Sequence, residues 1–271
     1  MIPEAPSISL GSKFMTLQQA KSALLSHSNS ASAEAKRIFF KNCQGDIFLG
    51  VKAALVKKVA KEFLALELEE IEQLIQSDVH EERSLANVLL CLKYRKANEI
   101  GKKEIFDFYV ENRHYIRDWD GVDDSAPYIV GCHLLEKDKK LLYELSLSKV
   151  IWDRRIAIVS TWWFIRHGHL QDTFNLVELL LQDKEDLIHK ACGWMLREAG
   201  KREIHSLRQF LDKHHKKMPR TMLRYAIERF PAEERKQYLV VSKSAKADLH
   251  QAVFRQILEE NDGLMKRLFE R

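Results

Sequence analysis

The chain has 271 residues, of which 45% are hydrophobic and 31% charged, and its formal net charge is +5. Only 10 glycines and 5 prolines interrupt a sequence rich in helix-forming residues, and no apolar run is long enough to span a bilayer. The first residues lack the order of a signal peptide, and the four cysteines form no CxxC pair. These features predict a cytoplasmic protein that keeps its thiols reduced, spans no membrane and binds no metal or cofactor.

Helical periodicity begins after a loose amino-terminal stretch. Residues 1–14 carry two prolines and several serines, which predicts a flexible tail, and we expect residues 15–271 to form a single domain. No segment alternates apolar and polar residues with a period of two, so we predict an all-α fold. The apolar spacing predicts helices near 16–27, 32–42, 51–65, 68–76, 80–96, 102–112, 121–135, 138–147, 152–167, 171–182, 185–200, 203–214, 219–229, 232–240 and 245–268.

An acidic segment, RDWDGVDDSAP at residues 117–127, places four aspartates around Trp119 in an otherwise basic chain. An EF-hand loop that began at Asp118 would need glycine at its sixth position and glutamate at its twelfth. Those positions hold Asp123 and Ile129, so the segment is not a calcium loop of that type. We expect Asp118, Asp120 and Asp124 to cap or begin the helix that follows.

A repeated pattern spaces one residue of each second helix at nearly constant intervals. Arg83, Trp119, Arg155, Lys190 and Arg224 follow one another at 36, 36, 35 and 34 residues, and four of these five are cations. Such a period is typical of stacked two-helix repeats. We therefore predict a HEAT-like solenoid, a curved stack of antiparallel helix pairs whose second helices line a concave face.

Equivalent positions in stacked repeats lie side by side on one surface. The five residues should therefore form one row, and the residues four positions later should form a second row. Asp123 and Trp194 belong to the second row, so we expect both to face one groove. One face of the helix DLIHKACGWMLREAGK carries an aromatic residue among cations, namely Lys190, Trp194, Arg197 and Lys201.

Positive charge is concentrated in one part of the chain. Residues 184–229 contain twelve lysines and arginines against six aspartates and glutamates, and the remainder is close to neutral. Aromatic side chains among cations are an arrangement that suits nucleic acids, so a polyanion partner is one interpretation. Solvated helix faces are the other interpretation, and charge alone does not decide between them.

Five stretches between about residues 36 and 240 carry a family resemblance in a preserved order and spacing. They are NCQGDIFLGVKAALVKKVAKEF, DWDGVDDSAPYIVG, IWDRRIAIVSTWWFIRHG, LIHKACGWMLREAGKR and KKMPRTMLRYAIERFP. Together they resemble the AlkD-like DNA alkylation repair proteins. The resemblance implies a curved stack of HEAT-like helix pairs and a DNA glycosylase that releases N3- and N7-alkylated purines from double-stranded DNA. We expect such a protein to act as a monomer.

The resemblance also implies roles for individual residues. The two tryptophans of the family's site fall on Trp119 and Trp194, its aspartate falls on Asp123, and its arginine falls on Arg155. Phe39 in RIFFKN stands where active members have a tyrosine. We expect the DNA-binding residues to be Arg83, Arg155, Lys190, Arg197, Lys201, Arg220, Arg224 and Phe39.

These residue types fit the implied chemistry. An N3- or N7-alkylated purine is positively charged and leaves readily, while cleavage of its N-glycosidic bond puts positive charge on the sugar. Asp123 can stabilise that sugar cation and position the attacking water, and the indole faces can contact the sugar. The favoured function is a monofunctional alkylpurine DNA glycosylase. The alternative is a non-catalytic HEAT-like module that binds DNA or protein.

Overall fold

The structure is a computed structural model that describes residues 15–40 and 45–240, apart from the side chain of Phe39. The described residues are predominantly α-helical and contain no β-strand, only a β-bridge between Ile47 and Val79. The predicted tail at 1–14 and the predicted helix at 245–268 lie outside the described residues. Within the described part, no helix is long and apolar enough to cross a bilayer.

The chain divides between Ser125 and Ala126 into two compact units. The prediction of a single domain over 15–271 stays a prediction. The described helices of the first unit are α1 (Leu17–Leu25), α2 (Ser30–Phe39), α3 (Ala53–Glu62), α4 (Leu68–Ile75), α5 (His80–Lys96), α6 (Glu99–Asn112) and α7 (Trp119–Asp123), with a 3-10 turn at Arg113–Tyr115. Helix α5 packs against α3 and α4, and it buries Leu85, Leu89 and Leu90 completely.

The second unit begins with a π-helix at Pro127–Gly131. Its α-helices are α8 (Cys132–Leu134), α9 (Lys140–Ser146), α10 (Ile151–Arg166), α11 (Gln171–Leu179), α12 (Asp186–Arg202), α13 (Ile204–His214) and α14 (Arg220–Ala226), and residues 232–240 are also helical. Helix α12 packs against α10 on one side and α14 on the other, while α11 and α13 also contact α12. Successive second helices therefore lie side by side, which confirms the prediction of an all-α helical-repeat fold.

One predicted helix has a different form. The apolar spacing predicts a continuous helix over 121–135, but α7 ends at Asp123 and a π-helix follows at Pro127–Gly131. Pro127 has no N–H to donate to the carbonyl four residues earlier, so the regular hydrogen-bond ladder is interrupted near it. Apolar periodicity does not reveal such a change of helical pitch.

Gly193 allows α12 and α14 to approach closely. A Cβ atom at Gly193 would lie 2.5 Å from the carbonyl oxygen of Met222 and 2.5 Å from Cβ of Tyr225. Both neighbours are atoms that rotation of a side chain cannot remove. The glycine before Trp194 is therefore a packing requirement, and Trp194 stands directly beside this helix contact.

We expect Gly193→Ala to lower the free energy of unfolding by about 1–3 kcal/mol, because overpacking forces the two helices apart. Gly200→Ala in the same helix is the matched control. Its added Cβ would meet Cδ2 of Leu207 at 2.3 Å, a methyl group at the end of a side chain. Denaturant unfolding of both variants tests the expectation. Equal losses of unfolding free energy would mean that the close α12–α14 contact does not make Gly193 less tolerant of a Cβ atom than Gly200.

Candidate functional site

Trp119 begins α7 at a well-capped helix start. The Asp118 carboxylate accepts a hydrogen bond from the Gly121 N–H at 2.8 Å, which confirms the expected capping role of this aspartate. The indole of Trp119 is half-buried and stacks on Phe40, with ring centroids 5.3 Å apart and an interplanar angle of 4°. This stack holds one face of the indole in place.

Phe40 is a site residue that the sequence analysis missed. The resemblance pointed to Phe39, whose side chain lies outside the described residues, whereas the ring of Phe40 contacts Trp119. Both phenylalanines occur in RIFFKN at the end of α2. Helical periodicity is lost at a helix end, so the sequence held no signal that could choose between two adjacent aromatic residues.

Asp123 ends α7 one turn after Trp119. Both side chains are partly exposed, while Gly121 and Val122 between them are buried. Residues four apart lie on the same side of a helix, so the indole and the carboxylate are neighbours on the accessible side of α7. Their placement on one side of α7 is compatible with the predicted site, which stays a prediction.

A buried ionic network lies beneath α7. Arg83 donates from Nη2 to Asp46 and, at 3.0 Å, to Oδ2 of Asp118, and it donates from Nη1 to the Ser77 carbonyl at 3.0 Å. Its side chain is only 5% exposed. The row of equivalent positions predicted Arg83 as a DNA contact, but its guanidinium is occupied by buried carboxylates and has little surface to offer a phosphate.

His80 joins the same network from the first turn of α5. Its Nε2 lies 3.1 Å from Oδ2 of Asp120, and its Nδ1 lies 3.4 Å from Oδ2 of Asp118. Burial acts to lower the pKa of His80, but the bonds and charges of both carboxylates outweigh it and raise the pKa to about 9. The imidazole is therefore an imidazolium at neutral pH.

The pKa values of Asp118 and Asp120 are shifted in opposite directions. Burial, together with the neighbouring charge of Asp118, raises the pKa of Asp120 to about 6 despite its bond to His80. Burial also acts to raise the pKa of Asp118, but bonds from His80 and Asp120 and the charge of Arg83 lower it below its ordinary value. Asp118 is consequently the anion that the two buried cations share.

The same cluster also has the composition of a metal site. Asp46, His80 and Asp118 each offer a ligand atom, and these atoms lie within 4.8 Å of one another. However, Arg83 already bonds both carboxylates from within the cluster. A cation would have to displace a buried guanidinium, so the arrangement fits an ion-pair network better than a metal centre.

Arg155 lies in the second unit and is also buried. Its side chain is in α10, the residue is only 5% exposed, and Nη1 donates to the Leu187 carbonyl at 2.7 Å. This bond connects α10 to the first turn of α12. The position explains why an arginine suits this point of the fold, but it leaves the guanidinium less accessible than the row of equivalent residues suggested.

The basic face of α12 has the composition that the sequence predicted. Trp194 is half-buried, and Lys190 pairs with Asp186 at 2.8 Å, which raises the pKa of the lysine. Arg197 is paired with Glu228, and Lys201 lies 2.7 Å from Glu198. These cations are therefore held by surface ion pairs, which cost little to exchange for a stronger anion.

Helix α14 adds two exposed side chains beside this face. Arg224 and Tyr225 are both exposed, and Tyr225 lies against Gly193 at the point where α12 and α14 meet. Arg220 differs, since its Nη1 donates to the Leu239 carbonyl at 2.8 Å. Tyr225 follows the repeat position of Arg224 by one residue, so the repeat period gave no signal for it.

The predicted site residues thus fall in two groups. Trp119 and Asp123 belong to the first unit, whereas Arg155, Lys190 and Trp194 belong to the second. The expectation that they line a common groove stays a prediction.

Comparison with known proteins points to one family. A family model described as DNA alkylation repair enzyme matches residues 20–230. Among solved structures, the chain is similar to a predicted DNA alkylation repair enzyme from Enterococcus faecalis, with a TM-score of 0.60 and 17% sequence identity. That similarity covers 76% of this chain and 98% of the other, and it concerns the fold alone. No curated protein matches significantly.

Proposed function

Because the chain belongs to the DNA alkylation repair enzyme family, we propose that it is a DNA glycosylase that releases N3- and N7-alkylated purines from double-stranded DNA. The observation that supports this proposal most directly is the pair formed by Trp119 and Asp123. Both side chains are accessible on one side of a short, capped helix, and the indole is held by a parallel stack on Phe40.

The proposed reaction is hydrolysis of the N-glycosidic bond. The alkylated base is already cationic, so it leaves with the bonding electrons as a neutral purine and needs no strong acid. Positive charge then develops on the deoxyribose, and water adds to the anomeric carbon while its proton is released. A fixed carboxylate stabilises this sugar cation more strongly than it stabilises the neutral sugar of the substrate, which is the condition for catalysis.

Each site residue has a distinct proposed task. Asp123 faces the developing cation and orients the water, and Trp119 presents its free indole face to the sugar. Trp194 is the second aromatic side chain proposed to contact the sugar. Arg155, which bonds the Leu187 carbonyl, supports the start of α12 and so the placement of Lys190 and Trp194.

The proposed DNA contacts are the cations that lie at the surface. Lys190, Arg197, Lys201 and Arg224 qualify, because each is exposed or half-buried. The ion pairs of the first three can be replaced by phosphate contacts with release of counterions. Arg83 does not qualify, and Arg220 would have to give up its bond to the Leu239 carbonyl.

We expect Lys190→Ala and Arg224→Ala each to weaken DNA binding and to reduce the salt dependence by about one counterion, because each removes about one phosphate contact. Lys140→Ala is the matched control, since Lys140 forms a comparable i,i+4 pair with Glu144 at 3.4 Å and is well exposed. Binding isotherms at several salt concentrations give the slopes. Slopes unchanged from the wild type in both test variants would remove these residues from the contact surface.

Release of 7-methylguanine from methylated duplex DNA by the purified chain tests the proposed activity. Free base should appear in the supernatant, and the strand should retain an abasic site without cleavage. Specific binding to methylated duplex without any release of base would instead support the non-catalytic module.

A further inference from the structure

Trp119 is supported by the ring of Phe40 and by the α7 segment that carries it, and His80 contacts both. The ring of His80 lies 4.7 Å from that of Phe40 and 4.9 Å from that of Phe48, and Phe40 in turn stacks on Trp119. The same imidazole contacts Asp118 and Asp120, which flank Trp119 in the chain. One buried side chain thus supports both the ring beneath the indole and the backbone that carries it.

We propose that His80 is a positioning residue for Trp119, which keeps the indole stacked on Phe40 and α7 in place by bridging Asp118 and Asp120. His80 is only 1% exposed, so it does not touch DNA itself. The structural part of this proposal is independent of the reaction, whereas its consequence for catalysis rests on the proposed glycosylase function.

The bridge depends on the charge of the imidazole. An imidazolium donates from both ring nitrogens, whereas a neutral imidazole donates from one and turns a lone pair toward the other carboxylate. Loss of the proton would therefore place an acceptor against an anion and loosen one side of the bridge. The charged groups around His80 are Asp118 and Asp120 from α7, Asp46 from the segment before Phe48, Glu81 and Arg83 from α5, and Lys36 of α2 through its pair with Glu81.

The direction of the pH effect follows from the raised pKa. His80 is protonated at neutral pH, so the bridge is complete there and is lost as the pH rises through about 9. Because the pKa of His80 is higher in the folded state, protonated His80 stabilises the fold, and this stabilisation is fully present below the ordinary pKa of histidine. Acidification acts on the other partner, because the raised pKa of Asp120 means that this carboxylate loses its charge as the pH falls through about 6 and its side of the bridge weakens.

Indole N–H resonances of 15N-labelled protein test the positioning directly, with the Trp119 signal assigned from Trp119→Phe. In the wild type this signal should move with a midpoint near pH 9. In His80→Gln, which retains one hydrogen-bond donor but not the charge, the signal should be displaced at pH 7 and should lack that midpoint. Single-turnover excision by His80→Gln should fall by about tenfold to a hundredfold, as small misplacements of reacting groups do, with the dissociation constant for DNA unchanged.

His214→Gln is the matched control. His214 is a second buried histidine, 5% exposed, and its ring lies 4.5 Å from that of Phe210 in the same helix. This variant should lose stability without moving the Trp119 resonance. A similar shift in both variants would show a general loss of packing and would overturn the positioning role.

The outcomes separate this proposal from the proposed function. A Trp119 resonance that neither moves near pH 9 nor shifts in His80→Gln refutes the positioning role, whether or not the protein releases base. If His80→Gln does not fold, the wild-type titration alone decides. If the wild type releases no base, the glycosylase function fails, yet the resonance still reports whether His80 positions Trp119.

Discussion

Asp123→Asn is expected to slow excision of 7-methylguanine about a hundredfold, equivalent to about 3 kcal/mol of transition-state stabilisation. The substitution keeps the shape and the hydrogen-bonding capacity of the side chain but removes the charge that would face the sugar cation. Affinity for lesion DNA should stay the same or improve, because an anion near the phosphates is removed. Single-turnover excision and a binding isotherm measure the two effects separately.

Asp124→Asn is the control for this prediction. Asp124 is the next residue in the chain and is exposed, and its backbone carbonyl accepts a bond from the thiol of Cys91. The variant makes the same change in net charge at almost the same place, so any general electrostatic effect on DNA binding should appear in both. If Asp123→Asn excises as fast as Asp124→Asn, the carboxylate of Asp123 is structural and the non-catalytic module becomes the better hypothesis.

Arg83→Met is expected to lower the free energy of unfolding by about 3–5 kcal/mol, because it removes the cation that bonds both buried carboxylates and leaves Asp118 with His80 and Asp46 with a longer contact to Arg117. The side chains of Asp46 and Asp118 are only 2% and 6% exposed, so water cannot replace the guanidinium. Methionine keeps much of the apolar stem, so the loss reports the charge rather than a cavity. Denaturant unfolding at neutral pH measures the change.

The pH dependence and a double variant check the cause of that loss. The pKa of Asp118 is lowered in the folded state, so its contribution is present above its ordinary value and is lost on acidification. The difference between Arg83→Met and the wild type should therefore narrow below about pH 4. Adding Asp46→Asn to Arg83→Met should recover part of the lost unfolding free energy.

Lys103→Met is the control at the surface. It breaks an exposed pair with Asp107 and should change the free energy of unfolding by less than about 1 kcal/mol.

Local patterns in the chain were sufficient for the all-α helical-repeat fold. Helical spacing predicted the ends of α5, α10 and α12 to within two residues. The repeat period identified the positions at which successive second helices come together. Trp119 and Asp123 are one helical turn apart in α7 as expected, because a separation of four residues has the same meaning in every α-helix.

Contacts between distant segments decided the rest. The repeat treated Arg83 as equivalent to Lys190, yet Arg83 is bonded to Asp46 and Asp118 in the interior, while Lys190 remains at the surface. A periodic pattern reports which face a residue occupies, but not which charge lies opposite it.

The support of Trp119 shows the same limit. Phe40, His80 and Trp119 come from three separate helical regions, and no spacing connects them in the chain. Their stacking and the raised pKa of His80 arise only when folding brings rings and carboxylates together away from water. Burial strengthens the attraction between charges and penalises every unpaired one. Tertiary packing therefore assigned the electrostatic roles that sequence periodicity left undefined.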